Sequence, residues 1–319
     1  MKRLELPHRM ADYLCPVNGL CDVYEWKTGK RIPEELIFYA KAGFQMISQK
    51  RADAPKMIFL GQGSIGKREY EFWKEIIGYE IMFGEGKCFR TTWKEICALL
   101  DREIPTILFG LDMFYLPYQQ KFYQKQHIPG HVVLMVGYDD ENAYIHDNSK
   151  EGVQPVPLSN LEQAWAKSYI GICKKNTYFG INMKSPETDI SQIVQKGMDV
   201  FAQEALCKIY LHFIEYTGSV LPELPYEISG SRSGIINPHR ASRDKLAQAL
   251  LKYQGSFGVP GWEDAAYCFE CSGQIIQTIV GGFIEDVGNM SFGNSEKYIP
   301  FFQELREYEE CAFHIMLRD

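Results

Sequence analysis

The sequence has no run of about eighteen apolar residues, so it offers no membrane-spanning helix. It has no Lys/Arg-rich run, and its net charge is −7 with a pI near 5.6. That balance argues against nucleic acid or an acidic membrane surface as a partner. The start, MKRLELPHRMADYL, is basic but lacks the apolar stretch of a secretory signal. No internal repeat or low-complexity segment appears, which excludes solenoid and fibrous classes. Cysteine is present, but its nine copies are odd in number and scattered over 319 residues. Reduced thiols in the cytoplasm fit that distribution better than a disulfide framework.

What is present is ordinary globular material: 45% hydrophobic and 24% charged residues. The first 180 or so residues alternate helical and strand-like segments. Residues 16–26 and 33–47 read as helices with Pro near the first turn, and 68–78 as a helix ending in Gly. Residues 92–103 and the segment from Ser159 read as helices with capping boxes, Thr92 with Glu95 and Ser159 with Glu162. MIFL (57–60) is a short apolar run, and PTILFGL (105–111) and YFGINM (178–183) are strand candidates. HVVLMVGY and AYIHD form a hairpin around DDEN. After KSPETD (184–189) the pattern becomes helical: one long amphipathic segment, a Pro/Gly/Ser-rich stretch at 219–240, then helices near 241–254, 261–287 and 295–315. The expectation is an α+β domain over 1–183 and a mostly α-helical domain over 184–319.

Cys15 stands directly before Pro16, where a helix begins. A thiol at a helix N-terminus faces the positive end of the dipole, which favours the thiolate. Free cysteines are more often packed than reactive, so Cys15 alone does not decide. Cys268 and Cys271 form a CxxC inside a helical segment, without a second CxxC or a His pair, so zinc is not expected there. No metal or cofactor is expected anywhere in the chain.

A nucleophilic cysteine needs a base. His131 opens the strand HVVLMVGY, and Asp147 follows the next strand. Alternation puts Ile145 and Asp147 on one face of that strand, Tyr144 and His146 on the other. A carboxylate sharing a face with isoleucine needs a buried partner, and a histidine suits it. An aspartate on one ring nitrogen fixes the tautomer and stabilises the imidazolium. His127 lies four residues before His131 but across Pro and Gly, so the two do not form a helical zinc pair. Asp112 ends a strand, where it either binds an acceptor amine or caps a turn. Tyr115, Tyr118 and Tyr123 either line a pocket or pack.

A cysteine opening an N-terminal helix, a His opening a strand and an Asp after the next strand resemble the papain-like cysteine enzymes. The Asp in third place is more similar to their double-glycine leader peptidase branch. LCPVNGLCDVYEWKTGKRIPEELIFYAKAGFQM, and still more IPTILFGLDMFYLPYQQKFYQKQHIPGHVVLMVGYDDENAYIHDN, resemble the butirosin biosynthesis acyltransferase family. That resemblance implies a papain-like catalytic domain with an antiparallel sheet, with Cys15 as nucleophile, His131 as base and Asp147 as orienter. It implies acyl or aminoacyl transfer from a thioester donor, such as an acyl carrier protein, to a small-molecule amine in natural-product biosynthesis. Arg9 stands where papain-like proteases carry an oxyanion glutamine, and Tyr115, Tyr118, Asp112 and His127 are the candidate substrate contacts. The family usually has His before the Cys; here it is Leu14. Two other readings stay open: a cysteine peptidase or amidase on the same triad, and a non-catalytic binding protein that keeps the fold. Self-association into a homo-oligomer is also left open.

Overall fold

The computed structural model describes residues 1–11, 15–41, 44–49, 57–62, 66–169, 173–214, 236–257, 260–289 and 295–317. Contacts divide the chain into two compact units. The first comprises Met1–Glu34 and Ile65–Ile193, the second Glu35–Ser64 and Val194–Asp319.

The first unit is built on one antiparallel sheet. Its strands are β1 (Lys2–Arg3), β4 (Glu80–Gly84), β5 (Thr106–Leu111), β6 (His131–Tyr138), β7 (Asn142–His146), β8 (Val153–Pro157) and β9 (Thr177–Asn182). The order is β4-β9-β5-β6-β7-β8. β1 pairs with the Gly137–Tyr138 end of β6, and β5 with the His131–Met135 end. β6 is thus the central strand. Its apolar run, buried from His131 to Gly137, is what a strand covered on both faces requires.

Helices cover the sheet. They are α1 (Cys15–Thr28), α3 (Lys67–Ile77), α4 (Phe89–Asp101) and α5 (Leu158–Ala164). Val133, Met135 and Ile145 join Ile96, Leu100 and Leu161 in one core cluster. α1 lies against β6, and every residue from Pro16 to Tyr24 is buried. The approach is close because position 19 is glycine: a Cβ there would stand 2.9 Å from Cβ of Leu134. A second glycine, Gly110 at φ 88°, sits where the β5–β6 register shifts between Phe109 and Leu111, so that Leu111 pairs with His131.

The second unit is mainly helical, with α6 (Ile190–Ile214, its first residues in the first unit), α7 (Ile236–Phe257), α8 (Trp262–Gly288) and α9 (Ile299–Met316). It also holds the hairpin β2 (Phe44–Gln49) and β3 (Met57–Gln62), paired from Phe44↔Gln62 to Gln49↔Met57. Trp262, Phe269, Phe302 and Phe313 are fully buried. Among them lies a buried ion pair. Arg243 Nε and Nη2 donate to the two oxygens of Glu309 at 2.6 and 2.8 Å, and Ser272 Oγ donates to Glu309 at 2.5 Å.

Several sequence expectations need correction. The helix expected over 33–47 is α2 (Glu34–Lys41) only, and Phe44–Gln49 is a strand. Strand pairing with Met57–Gln62 overrides the helical period there. Thr92 does not cap α4. The apolar stripe starts a turn earlier, at Phe89, so Cys88 is the N-cap and Thr92 is buried within the helix. Ser159 does not cap α5 either. β8 runs straight into that helix, which begins at Leu158 with Pro157 at the N-cap. The long helical segment after 189 and the helices near 241–254, 261–287 and 295–315 correspond to α6 to α9. Most of the Pro/Gly/Ser-rich stretch, 219–235, lies outside the described residues, and 236–240 belongs to α7. Among the described residues, no helix is long and apolar enough to cross a membrane.

Candidate active site

β6 and α1 bring two of the expected residues together. Cys15 is the first residue of α1 and half-buried; His131 is the first residue of β6 and 4% exposed. The Cys15 thiol lies close enough to the His131 ring to favour its charged form. On the same ring, Nε2 lies 2.6 Å from Oδ2 of Asp147. With Nε2 committed to the carboxylate, Nδ1 is the nitrogen left for the thiol. Tyr70 of α3 fixes the entry to α1 by donating its hydroxyl to the Pro16 carbonyl at 2.6 Å.

Asp147 is fully buried and accepts five hydrogen bonds. Oδ2 takes His131, the Tyr118 hydroxyl at 2.7 Å and Gln119 Nε2 at 3.0 Å. Oδ1 takes the Ser149 N–H at 2.9 Å and the Ser149 hydroxyl at 2.7 Å. Burial alone would push this carboxyl upward. The His131 charge and hydrogen bond, then the Ser149 N–H and Tyr118, hold it well below the usual carboxylate range. Burial alone would likewise discharge His131. The Asp147 hydrogen bond and charge, followed by Cys15, outweigh that and raise the imidazolium to about 10. Tyr118 is pushed well above its ordinary value by burial and by Asp147, so its hydroxyl stays a donor.

β7 also separates its neighbouring polar residues as alternation expects. Ile145 enters the core cluster, whereas His146 turns to α1 and places Nδ1 3.2 Å from Oδ2 of Asp22. Asp22 is buried, and it also meets His8 Nδ1 at 2.7 Å and Arg31 at 2.9 Å. Burial would raise this carboxyl, but His146, His8 and Arg31 lower it. Arg31 is paired with Glu25 and Glu34 as well.

The remaining expected residues lie elsewhere or have other work. Arg9 is exposed and its guanidinium is held by Glu25 at 2.6 Å. Asp112 is buried and caps a turn: Oδ1 accepts from the Phe114 and Ile128 N–H groups at 3.1 Å. Its Oδ2 holds His127 Nδ1 at 2.7 Å, and the His127 ring stacks on Phe114 with centroids 4.1 Å apart. Tyr115 packs against the core cluster. Tyr118, expected as a substrate contact or as packing, belongs to the Asp147 network. Gln119, Ser149 and His8 were not singled out from sequence. Ser149 had a local signal, since Asp-x-Ser is an Asx-turn spacing; Gln119 and His8 had none. Cys268 is buried and Cys271 half-buried within α8, both as free thiols.

No curated protein matches the chain. Residues 14–148, which span Cys15, His131 and Asp147, match the family described as butirosin biosynthesis protein H, N-terminal. Over that stretch the chain is similar to the butirosin biosynthesis protein H N-terminal family.

Proposed function

We propose that the first unit is a cysteine-dependent acyltransferase of papain-like type, acting in natural-product biosynthesis, with Cys15, His131 and Asp147 as its reacting set. The observation that carries this reading is the His131 ring, with the Cys15 thiol beside it and a five-fold satisfied Asp147 bonded to its Nε2. That is the arrangement of nucleophile, base and orienter that covalent acyl transfer needs. Similarity to a family named for butirosin biosynthesis supports the biosynthetic setting.

The reacting state is the ion pair in which His131 already holds the proton, and the Cys15 sulfur attacks the carbonyl carbon of a thioester. The charge of Asp147 stabilises that imidazolium. The tetrahedral oxyanion gathers at the N-terminus of α1, where the Cys15 N–H and the helix dipole favour negative charge. Pro16 supplies no N–H there, and Arg9 is engaged with Glu25. The intermediate collapses by expelling the donor thiol, which takes the proton from His131. An amine then attacks acyl-Cys15, loses its proton to His131 and leaves as the amide while the cysteine sulfur departs as thiolate, which restores the ion pair. The donor is a thioester, with an acyl carrier protein as the fitting macromolecular form, and the acceptor a small-molecule amine.

The test is intact-mass spectrometry after incubation with a panel of acyl thioesters. Wild type is expected to gain one acyl mass that maps to Cys15, to release it on adding an amine, and to lose the adduct on Cys15→Ala. An adduct that persists in Cys15→Ala removes the assignment. Discharge by water at the same rate with and without amine makes the protein a hydrolase instead.

A further inference from the structure

The His8 side chain is 5% exposed and lies among acceptors. Its Nδ1 is 2.7 Å from Oδ2 of Asp22. Its Nε2 is 3.1 Å from the Asp147 carbonyl and 3.0 Å from the Lys150 carbonyl. A carboxylate and two carbonyls only accept, so both ring nitrogens carry protons and His8 is an imidazolium. The charges around it agree. Asp22 of α1 supplies the negative partner, with Arg31 beyond it on the other oxygen, itself held by Glu25 and Glu34. From β7, His146 stacks on the His8 ring with centroids 4.3 Å apart and bonds the same Asp22 oxygen.

The turn that His8 grips is the one that presents the orienting carboxylate. Its first residue is Asp147, whose side chain faces His131 while its carbonyl takes the His8 proton. The next segment of the N-terminus runs along the same turn: the Ala11 N–H donates to the Asn148 carbonyl at 2.8 Å, and Asn148 Nδ2 donates to the Ala11 carbonyl at 2.6 Å. The segment is anchored at its other end by Leu4, whose N–H donates to Val136 of β6.

We propose that His8 is a positioning residue: a buried imidazolium that clamps the 147–150 turn through the Asp147 and Lys150 carbonyls and so holds the Asp147 carboxylate on His131. The proposal deepens the triad reading above and rests on it for its bearing on catalysis. His8, Asp22 and His146 could also be read as a cation site, since their ligand-capable atoms lie within 4.8 Å of one another. The separations argue against that. Ligands of one tetrahedral zinc, each about 2.0–2.2 Å from the metal, stand roughly 3.3 Å apart. The 2.7 Å between His8 and Asp22 is a hydrogen-bond distance.

Two measurements on the full-length protein test the clamp, and neither needs an acyl donor. The first uses wild type alone. Nitrogen-15 NMR at neutral pH is expected to show His8 with both ring nitrogens protonated, unchanged by added zinc chloride. A neutral tautomer, or a zinc-bound nitrogen at stoichiometric zinc, overturns the proposal. The second compares His8→Gln, which keeps a donor at the ε position, with His8→Asn, which keeps one only at the δ position. His131 is expected to titrate at least about one pH unit lower in His8→Asn, and near its wild-type midpoint in His8→Gln. The direction is diagnostic: deleting a nearby positive charge without moving Asp147 would raise the His131 midpoint, not lower it. No fall in His8→Asn, or an equal fall in both variants, overturns the proposal. If His8→Asn does not fold, the wild-type measurement decides. A protein that fails to form acyl-Cys15 can still pass both tests, so the clamp and the acyltransferase reading fail separately.

Discussion

Replacing Asp147 separates charge from hydrogen bonding at the centre of the site. In Asp147→Asn the amide has two orientations. With its nitrogen at the Oδ2 position, it faces three donors: His131, Tyr118 and Gln119. With its nitrogen at the Oδ1 position, it faces the Ser149 N–H, while the Ser149 hydroxyl can rotate to accept. The second orientation orphans one buried N–H, at about 1–3 kcal/mol. It keeps a neutral acceptor on His131. Asp147→Ala removes all five bonds together with one half of a buried ion pair, at about 3–5 kcal/mol. Both variants remove the charge that outweighs burial at His131. The His131 midpoint is therefore expected to fall from about 10 to the neighbourhood of its ordinary value near 6.5 in Asp147→Asn. The assay is carbon-13 or nitrogen-15 NMR of the His131 ring across pH 5–11, beside urea unfolding of each variant. A His131 that still titrates near 10 in Asp147→Asn refutes the claim that Asp147 sustains the imidazolium. Equal stability losses in the two variants refute the hydrogen-bond accounting.

Four further outcomes are expected. The His131–Asp147 pair contributes stability across a window fixed by both partners. The raised His131 contribution is complete below about 6.5 and fades as pH rises through about 10; the lowered Asp147 contribution is present above about 4 and fades as pH falls further. Urea midpoints measured from pH 3 to 11 should trace that plateau. Gly19→Ala regains about 1 kcal/mol of helix preference, but the overlap with Leu134 costs about 1–3 kcal/mol, so a net loss in urea unfolding is expected. Tyr118→Phe should cost about 1.5–3 kcal/mol through one charge-assisted bond, measured the same way, and leave His131 charged at neutral pH. Glu309→Ala removes the carboxylate of a buried ion pair with Arg243 and should destabilise the second unit by about 3–5 kcal/mol; calorimetry should show that effect without a change in the His131 titration.

The sequence by itself determined the parts that depend on local spacing and alternation. The run HVVLMVGY, the acidic turn and AYIHD could only be a hairpin with one fully buried strand, and β6 and β7 are that hairpin. Strand period 2 separated His146 from Asp147, and the two point to different partners, Asp22 and His131. Pro16 after Cys15 marked the start of α1. The pairing of Cys15 with His131 came from the order of residue types and a family resemblance, since 116 positions separate them. Tertiary structure alone decided how that distance closes: Gly19 lets α1 settle against Leu134, and no periodicity encodes that contact. It also decided which polar residues are structural and which serve the site. Asp112 satisfies two backbone N–H groups, Arg9 pairs with Glu25, and Tyr118, Gln119 and Ser149 converge on Asp147. Residues 35–64 group with the C-terminal part, though they lie within the N-terminal run of the sequence. The physical reason is common to all of these. A hydrogen bond or a packing contact is chosen by whichever partner arrives in three dimensions with the right geometry, and one-dimensional spacing constrains only partners on the same helix or strand.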